Sequence, residues 1–183
     1  MNGKWLAALL AAVLSNGCLV VSLQPAYDGQ SIAFEDGLVG RWENADDRTS
    51  VDIERAEWRS YKLTYAERSA SYTFHGNLTT IGASLYLDVT QPRGVDPGPY
   101  LVPVHGIYRV AVHDDVLTAE ALDYKWCAAA LAAKTLGRLS ATLDERRNLT
   151  ITSPTAELRV WLESPPEDAL GPPSTFRRVH PAR

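Results

Sequence analysis

The sequence predicts a mainly β protein, built as a single antiparallel meander barrel with two short helices late in the chain. Between about residues 38 and 124, apolar residues recur at every second position. This period is typical of antiparallel strands that bury one face. Many short strands with few helices favour a closed barrel, because closure removes exposed strand edges. A β-sandwich is the alternative architecture that the same pattern allows.

The alternation is present in six segments: VDI at 51–53, YKLTY at 61–65, YTF at 72–74, LYLDV at 85–89, YRVAV at 108–112 and LTAEA at 117–121. Short sequences typical of tight turns separate several of them, namely HGN at 75–77, IGA at 81–83 and HDD at 113–115. The Pro- and Gly-rich residues 91–103 predict a long loop. Together these signals predict about seven strands in a meander.

Two helices and a hairpin are predicted after the meander. The alanine-rich residues 124–137 end at Gly137, a residue that favours helix termination. A second helix is predicted after a Ser153 cap, with Pro154 at its first position. Between them, residues 140–152 favour a hairpin, and residues 174–179 favour a final strand.

The amino terminus has the three parts of a secretory signal: Lys4, an apolar core at residues 5–14, and small residues before Cys18. The core is too short to cross a bilayer, which takes about 20 apolar residues. We therefore predict a signal peptide at residues 1–17. An ordinary signal peptide would leave Cys18 as a free or disulfide-bonded thiol.

The segment LSNGC at residues 14–18 resembles the lipobox of bacterial lipoprotein precursors. The resemblance implies that Cys18 carries acyl chains such as palmitate and becomes the new amino terminus. It further implies a lipid-anchored tether at 18–37 and a single barrel domain at 38–183. Leu19 follows the cysteine where the inner-membrane retention signal of some bacteria has Asp. The implied location is the bacterial cell envelope, at the outer membrane and facing the periplasm.

Charge limits the range of partners. The chain carries a net charge of −4 and no block of basic residues, a poor composition for binding nucleic acid. An acidic domain is also a poor binder of anionic lipid, so we expect membrane contact only through the anchor.

The first strand opens with Gly40-Arg41-Trp42 in LVGRWEN, which resembles the G-x-W signature of lipocalin-like barrels. In that family the Trp packs at the closed end of the barrel under an Arg from a late strand. The resemblance implies base packing by Gly40, Trp42 and Arg177, with Arg178 as the alternative. It also implies a cup for a small apolar ligand and a late helix that lies outside the barrel wall.

No motif points to catalysis, a metal or a cofactor. None of the four histidines lies two or four residues from another His or Cys, so metal-ligand spacing is absent from the sequence. We expect His75 to face solvent, His105 to face the interior and Cys127 to act as a small buried hydrophobe. Enzyme is therefore the less favoured class.

Four aromatic residues alternate inward on adjacent predicted strands: Tyr61, Tyr65, Tyr72 and Phe74. They either fill the barrel core or line an apolar pocket with polar tips. Two functions remain open at this point. One is a lipid-anchored barrel that binds a small apolar molecule. The other is a lipoprotein with a filled core that contacts an envelope protein.

Overall fold

The computed structural model describes residues 19–68, 70–92, 102–145 and 147–180. In these residues the strands are β1 Val20–Ser22, β2 Ile32–Ala33, β3 Gly40–Glu43, β4 Ser50–Arg55, β5 Ser60–Glu67, β6 Ala70–Ile81, β7 Ser84–Thr90, β8 Gly106–His113, β9 Val116–Ala121, β10 Ala141–Leu143, β11 Leu149–Ile151 and β12 Ser174–Arg178. The helices are α1 Tyr124–Ala132 and α2 Thr155–Glu163. Three 3₁₀ turns span Asp36–Leu38, Glu57–Arg59 and Glu167–Ala169.

Within the described residues, eight strands close into an antiparallel barrel. From β3 to β9 each strand pairs with the next along the chain, and β12 closes the ring between β9 and β3. The predicted antiparallel barrel with two late helices is confirmed. The chain does not form the alternative β-sandwich.

The longest strand, β6, runs straight through the predicted HGN turn at 75–77. Position 76 has no room for a side chain. A Cβ atom there would lie 2.6 Å from Leu63 Cδ1 and 3.2 Å from Leu87 Cδ1 inside the barrel. The glycine therefore reflects close packing of the interior, and the prediction of a turn was wrong.

The base of the barrel is closed around Trp42, whose side chain is fully buried. Its indole N–H donates to the carbonyl of Leu38, 2.9 Å away, in the 3₁₀ turn below it. The guanidinium of Arg178 lies 4.1 Å from the centroid of the Trp42 ring, a distance at which cation–π attraction operates. The same group donates to the carbonyls of Val39 and Gly37 at 2.8 and 2.6 Å.

Arg178 takes the place that we assigned to Arg177. Side chains alternate along β12, so Phe176 points into the barrel and Arg177 is exposed on the outside. Two features of position 40 disfavour any residue other than glycine. Its φ of 142° disfavours other residues, and a Cβ atom would lie 2.5 Å from Arg178 Nη1.

A second layer covers one outer wall of the barrel. It consists of α1, α2 and a three-stranded sheet in which β11 pairs parallel with β1 and antiparallel with β10. Its core packs on the outward side chains of Ile81, Tyr86 and Ile107. Neither helix of the described residues is long and apolar enough to cross a membrane.

Helix α2 packs against this outer wall, as we expected from the resemblance. Leu158 and Leu162 are buried in the core of the second layer, and the Tyr86 hydroxyl donates to the Leu162 carbonyl at 2.8 Å. The predicted Ser153 cap does not form. Instead, the Ser153 hydroxyl accepts the N–H of Ser140 at 2.7 Å and so fixes the preceding hairpin.

The described part of the expected tether, residues 19–37, belongs to the folded domain. Val20, Val21, Ser22 and Ala26 are buried. Residues 23–31, which we call the strap, cross the outer wall between β1 and β2. Thr155 Oγ1 donates to the Pro25 carbonyl at 2.8 Å, and Arg159 Nη1 donates to the Ala26 carbonyl at 2.7 Å. The tether prediction fails here because this segment covers polar and apolar groups of the barrel wall.

We expect Trp42→Ala to lower the free energy of unfolding by about 3–5 kcal/mol, because it removes a large aromatic ring from the packed base. Trp58→Ala is the matched control, since Trp58 is 79% exposed and its loss should cost less than about 0.5 kcal/mol. Urea denaturation of both variants measures the difference. Equal midpoints would show that the base does not depend on the ring.

Candidate functional site

The barrel interior has a packed half towards the base. Nine of its residues are buried: Leu38, Trp42, Tyr61, Leu63, Leu78, Leu87, Val110, Leu117 and Phe176. Leu85 and Val112, which also point inward at this end, are half-buried. Tyr61, one of the four predicted aromatic residues, belongs to this half. Its ring stacks on Phe34 with 4.9 Å between centroids. Its hydroxyl accepts the N–H of Glu35 at 2.7 Å, and burial raises its pKa. Tyr61 is therefore a core residue.

The other half of the interior is an aromatic mouth, formed by Tyr65, Tyr72, Phe74 and Tyr108. Tyr65, Phe74 and Tyr108 are half-buried, and Tyr72 is 53% exposed at the rim. Burial raises the pKa of the Tyr65 and Tyr108 hydroxyls, so both stay neutral donors near pH 7. Partial exposure of inward-pointing rings means that solvent reaches this half of the barrel.

The structure brings three of the four predicted aromatic residues together with Tyr108, which was not among them. Tyr108 points inward in the same alternation that identified the other three, within YRVAV. Small residues accompany the rings, since Gly106 and Ala119 occupy inward positions on β8 and β9. The ring of Tyr108 covers Gly106, where a Cβ atom would lie 3.1 Å from Tyr108 Cε2.

A second group of polar side chains lies outside the barrel, between the two layers. At its centre Asp88 is fully buried on the outward face of β7. Its Oδ2 accepts the N–H of Ala26 in the strap at 2.7 Å, and its Oδ1 lies 2.6 Å from His105 Nδ1. We call Asp88, His105 and the neighbouring Asn77 the interlayer cluster.

His105 connects this cluster to the three-stranded sheet. Its backbone N–H and carbonyl form two hydrogen bonds of 2.9 Å with Ser22. Its ring meets the ring of Tyr27 edge-on, with 6.5 Å between centroids. His105 was expected to face the barrel interior, and it lies between the layers instead. His75 was expected to face solvent, and it is buried because the outward face of β6 is covered at that position.

Asn77 completes the interlayer cluster. It is the cross-strand neighbour of Asp88, it is 1% exposed, and its Nδ2 has no hydrogen-bond partner among the described residues. A carboxylate that orients a histidine is an arrangement also used in general-base catalysis. Here the hydrogen bonds of Asp88 and His105 join the barrel to the strap and to β1. We therefore interpret the cluster as a structural link between the layers.

One other side chain of chemical interest is Cys127. Cys127 is 2% exposed, and burial with the nearby Asp123 raises the pKa of its thiol to about 11. The group is therefore a neutral thiol near pH 7, a state that is a poor nucleophile. The described residues contain no group of three His, Cys, Asp or Glu side chains that could hold a metal ion.

Cys18, the predicted lipidation site, lies outside the described residues. Comparisons of the chain with protein-family models, with curated proteins and with solved structures give no match. The functional argument therefore depends on the residues themselves.

We expect Asp88→Ala to destabilise the fold by about 1–3 kcal/mol for each buried partner left unsatisfied, here the Ala26 N–H and the His105 ring. Glu54→Ala is the control, because Glu54 forms a surface ion pair of 2.7 Å with Lys62 and such pairs contribute about 0–1 kcal/mol. Thermal and urea unfolding measure both variants. If the two substitutions lower the free energy of unfolding by the same amount, Asp88 does not link the two layers.

Proposed function

We propose that this protein is a lipid-anchored lipoprotein of the bacterial cell envelope that binds a small apolar ligand in its aromatic mouth. The ligand site is the more specific part of the proposal. One observation carries it: the inward-pointing rings of Tyr65, Phe74 and Tyr108 are only half-buried, directly above a packed base. Leu85 and Val112 at the base are also half-buried, so the aromatic character of these rings, and not their exposure alone, distinguishes the site.

The chemistry of the mouth suits a flat, largely apolar molecule. Aromatic faces supply most of the contact area, and the hydroxyls of Tyr65 and Tyr108 supply polar groups that can orient a ligand. The packed base limits the depth, so the site suits one small ring system better than a long chain. The closure of the base by Trp42 and Arg178 supports the lipocalin-like resemblance on which the idea of a cup depends.

The membrane location is proposed from LSNGC and the apolar run before it. Acylation at Cys18 would hold the domain at the membrane surface, and Leu19 after the cysteine favours the outer membrane over the inner one. The ligand site would then face the periplasm.

A lipoprotein that contacts an envelope protein is the second candidate. It is favoured by exposed apolar side chains, namely Tyr72 at 53% on β6 and Val102 at 68% in the segment that leads into β8. Apolar groups exposed together can mark a protein contact. Ligand binding in the mouth distinguishes the two candidates.

Cys18→Ser should move the protein from the membrane fraction to the soluble periplasmic fraction, because the variant lacks the sulfur that would carry the lipid. Mass spectrometry of the mature wild-type protein checks the cause and should find an acylated cysteine at the amino terminus. An unmodified amino terminus at any other residue would sink the anchoring proposal.

Ala119→Phe should abolish the binding of N-phenylnaphthylamine, an uncharged apolar dye, because the added ring fills the mouth. Ala111→Phe is the matched control: it adds the same ring on β8 at an exposed outward position and should leave dye binding unchanged. Dye fluorescence is measured together with circular dichroism, which shows that both variants are folded. If the wild-type protein binds no dye, the protein-contact candidate replaces the ligand site.

A further inference from the structure

The amino-terminal end of the described chain is fixed directly to the folded domain. The carbonyl of Leu19 accepts the N–H of Leu149 at 2.9 Å, and the next residues, Val20 and Val21, are buried. Consecutive Cα atoms lie about 3.8 Å apart, so Cys18 is attached one residue from this fixed point. If Cys18 carries lipid, no flexible linker separates the acyl chains from the domain.

One surface of the domain lies beside that point. β1 and β11 are parallel and begin at the same end of their sheet, where Val20 is the partner of Leu149. β10 is antiparallel to β11, with Leu143 opposite Leu149. Leu143 and Leu149, which flank the turn between β10 and β11, therefore lie at the same end of the sheet as Leu19.

This end of the sheet exposes two large apolar side chains. Leu19 is 53% exposed and Leu143 is 43% exposed. Val20 and Leu143 are both register partners of Leu149, so the side chains of Leu19 and Leu143 lie on opposite faces at this end of the sheet. In the turn, the N–H of Arg147 donates to the carbonyl of Asp144 at 2.9 Å, and the Asp144 carboxylate accepts the N–H of Asn148 at 2.7 Å. These two bonds link Asp144 to Arg147 and Asn148.

We propose that the end of the β10–β11 hairpin, with Leu19 and Leu143, rests in the interfacial region of the bilayer that holds the acyl chains. The proposal rests on the acylation of Cys18. Leucine side chains gain free energy when they leave water for the lipid interface, and the short attachment keeps them within its reach. The domain then has one fixed orientation, in which the end of the three-stranded sheet that carries Leu19 and Leu143 points towards the membrane.

The opposite wall supplies the control position. In the ring of eight strands, β3 and β4 lie across the barrel from β7 and β8, whose outer faces carry the second layer. Asp46, exposed in the turn between β3 and β4, is therefore far from the proposed contact. Glu145, in the β10–β11 turn, is also exposed and belongs to the proposed membrane contact.

The test uses the full-length acylated protein in vesicles of phosphatidylethanolamine and phosphatidylglycerol. Glu145→Cys and Asp46→Cys are each labelled with a small thiol-reactive fluorophore. Native Cys127 is not labelled, because it is buried and its thiol is neutral. Brominated lipid, which quenches a fluorophore on contact, is expected to quench the label at 145 and to leave the label at 46 unquenched.

Two further variants, each carrying the label at 145, identify the cause. Leu19→Gln with Leu143→Gln should abolish quenching while the protein stays in the membrane fraction; glutamine is polar and avoids placing an Asp directly after Cys18. A Gly/Ser spacer of about ten residues after Cys18, with a reach of roughly 17 Å, should reduce it. Equal quenching at 145 and 46, or none at 145 in a protein shown by mass spectrometry to be acylated, overturns the proposal and leaves the anchor intact. The proposal is also overturned if the label at 145 stays shielded from water in detergent, because a second copy of the chain then covers it. Absence of acylation is a failure of the proposed function instead.

Discussion

The buried carboxylate of Asp88 is the constraint on which the arrangement of the two layers depends. A carboxylate removed from water is costly unless hydrogen bonds replace its hydration. Asp88 lies on the outer wall of the barrel, where the strap supplies one hydrogen-bond partner and the residue that precedes β8 supplies the other. The Ala26 N–H and the His105 ring fulfil this requirement. The chain on the amino-terminal side of the barrel is thereby held in a defined place.

The closure of the barrel base determines which end of the interior a ligand could enter. Arg178 covers Trp42 and binds two carbonyls of the segment below it, so the base admits no ligand. The half-buried aromatic residues are then left at one end of the interior, while the second layer occupies an outer wall. Ligand binding and membrane attachment would use separate surfaces of the same domain, and neither needs to obstruct the other.

The barrel could be predicted from the sequence because the alternation within each strand indicates which side chains point inward. Leu85, Leu87 and Val89 alternate with polar or tyrosine side chains, and that local pattern needs no knowledge of the rest of the chain. The same pattern places Asp88 on the outward face of its strand. Its partner Ala26 is 62 residues away in sequence, and no local signal indicates that contact.

The choice between Arg177 and Arg178 shows a second limit. Adjacent arginines face opposite sides of a strand, so an error of one residue in register exchanges their roles. Composition cannot fix the register, whereas the inward Phe176 in the structure does. The turn predicted at HGN was wrong for a different reason. Glycine in a sequence often indicates a turn, but here Gly76 leaves room for the side chains of Leu63 and Leu87.

Hydrogen–deuterium exchange of the Ala26 amide tests most directly whether the amino-terminal segment belongs to the fold. If the strap is held by Asp88, this amide exchanges only when the whole domain unfolds. Its protection should then equal that of the buried amides of β7 and should fall with them as denaturant is added. Rapid exchange of Ala26, while β7 stays protected, would show that the segment opens on its own and that Asp88 does not join the layers.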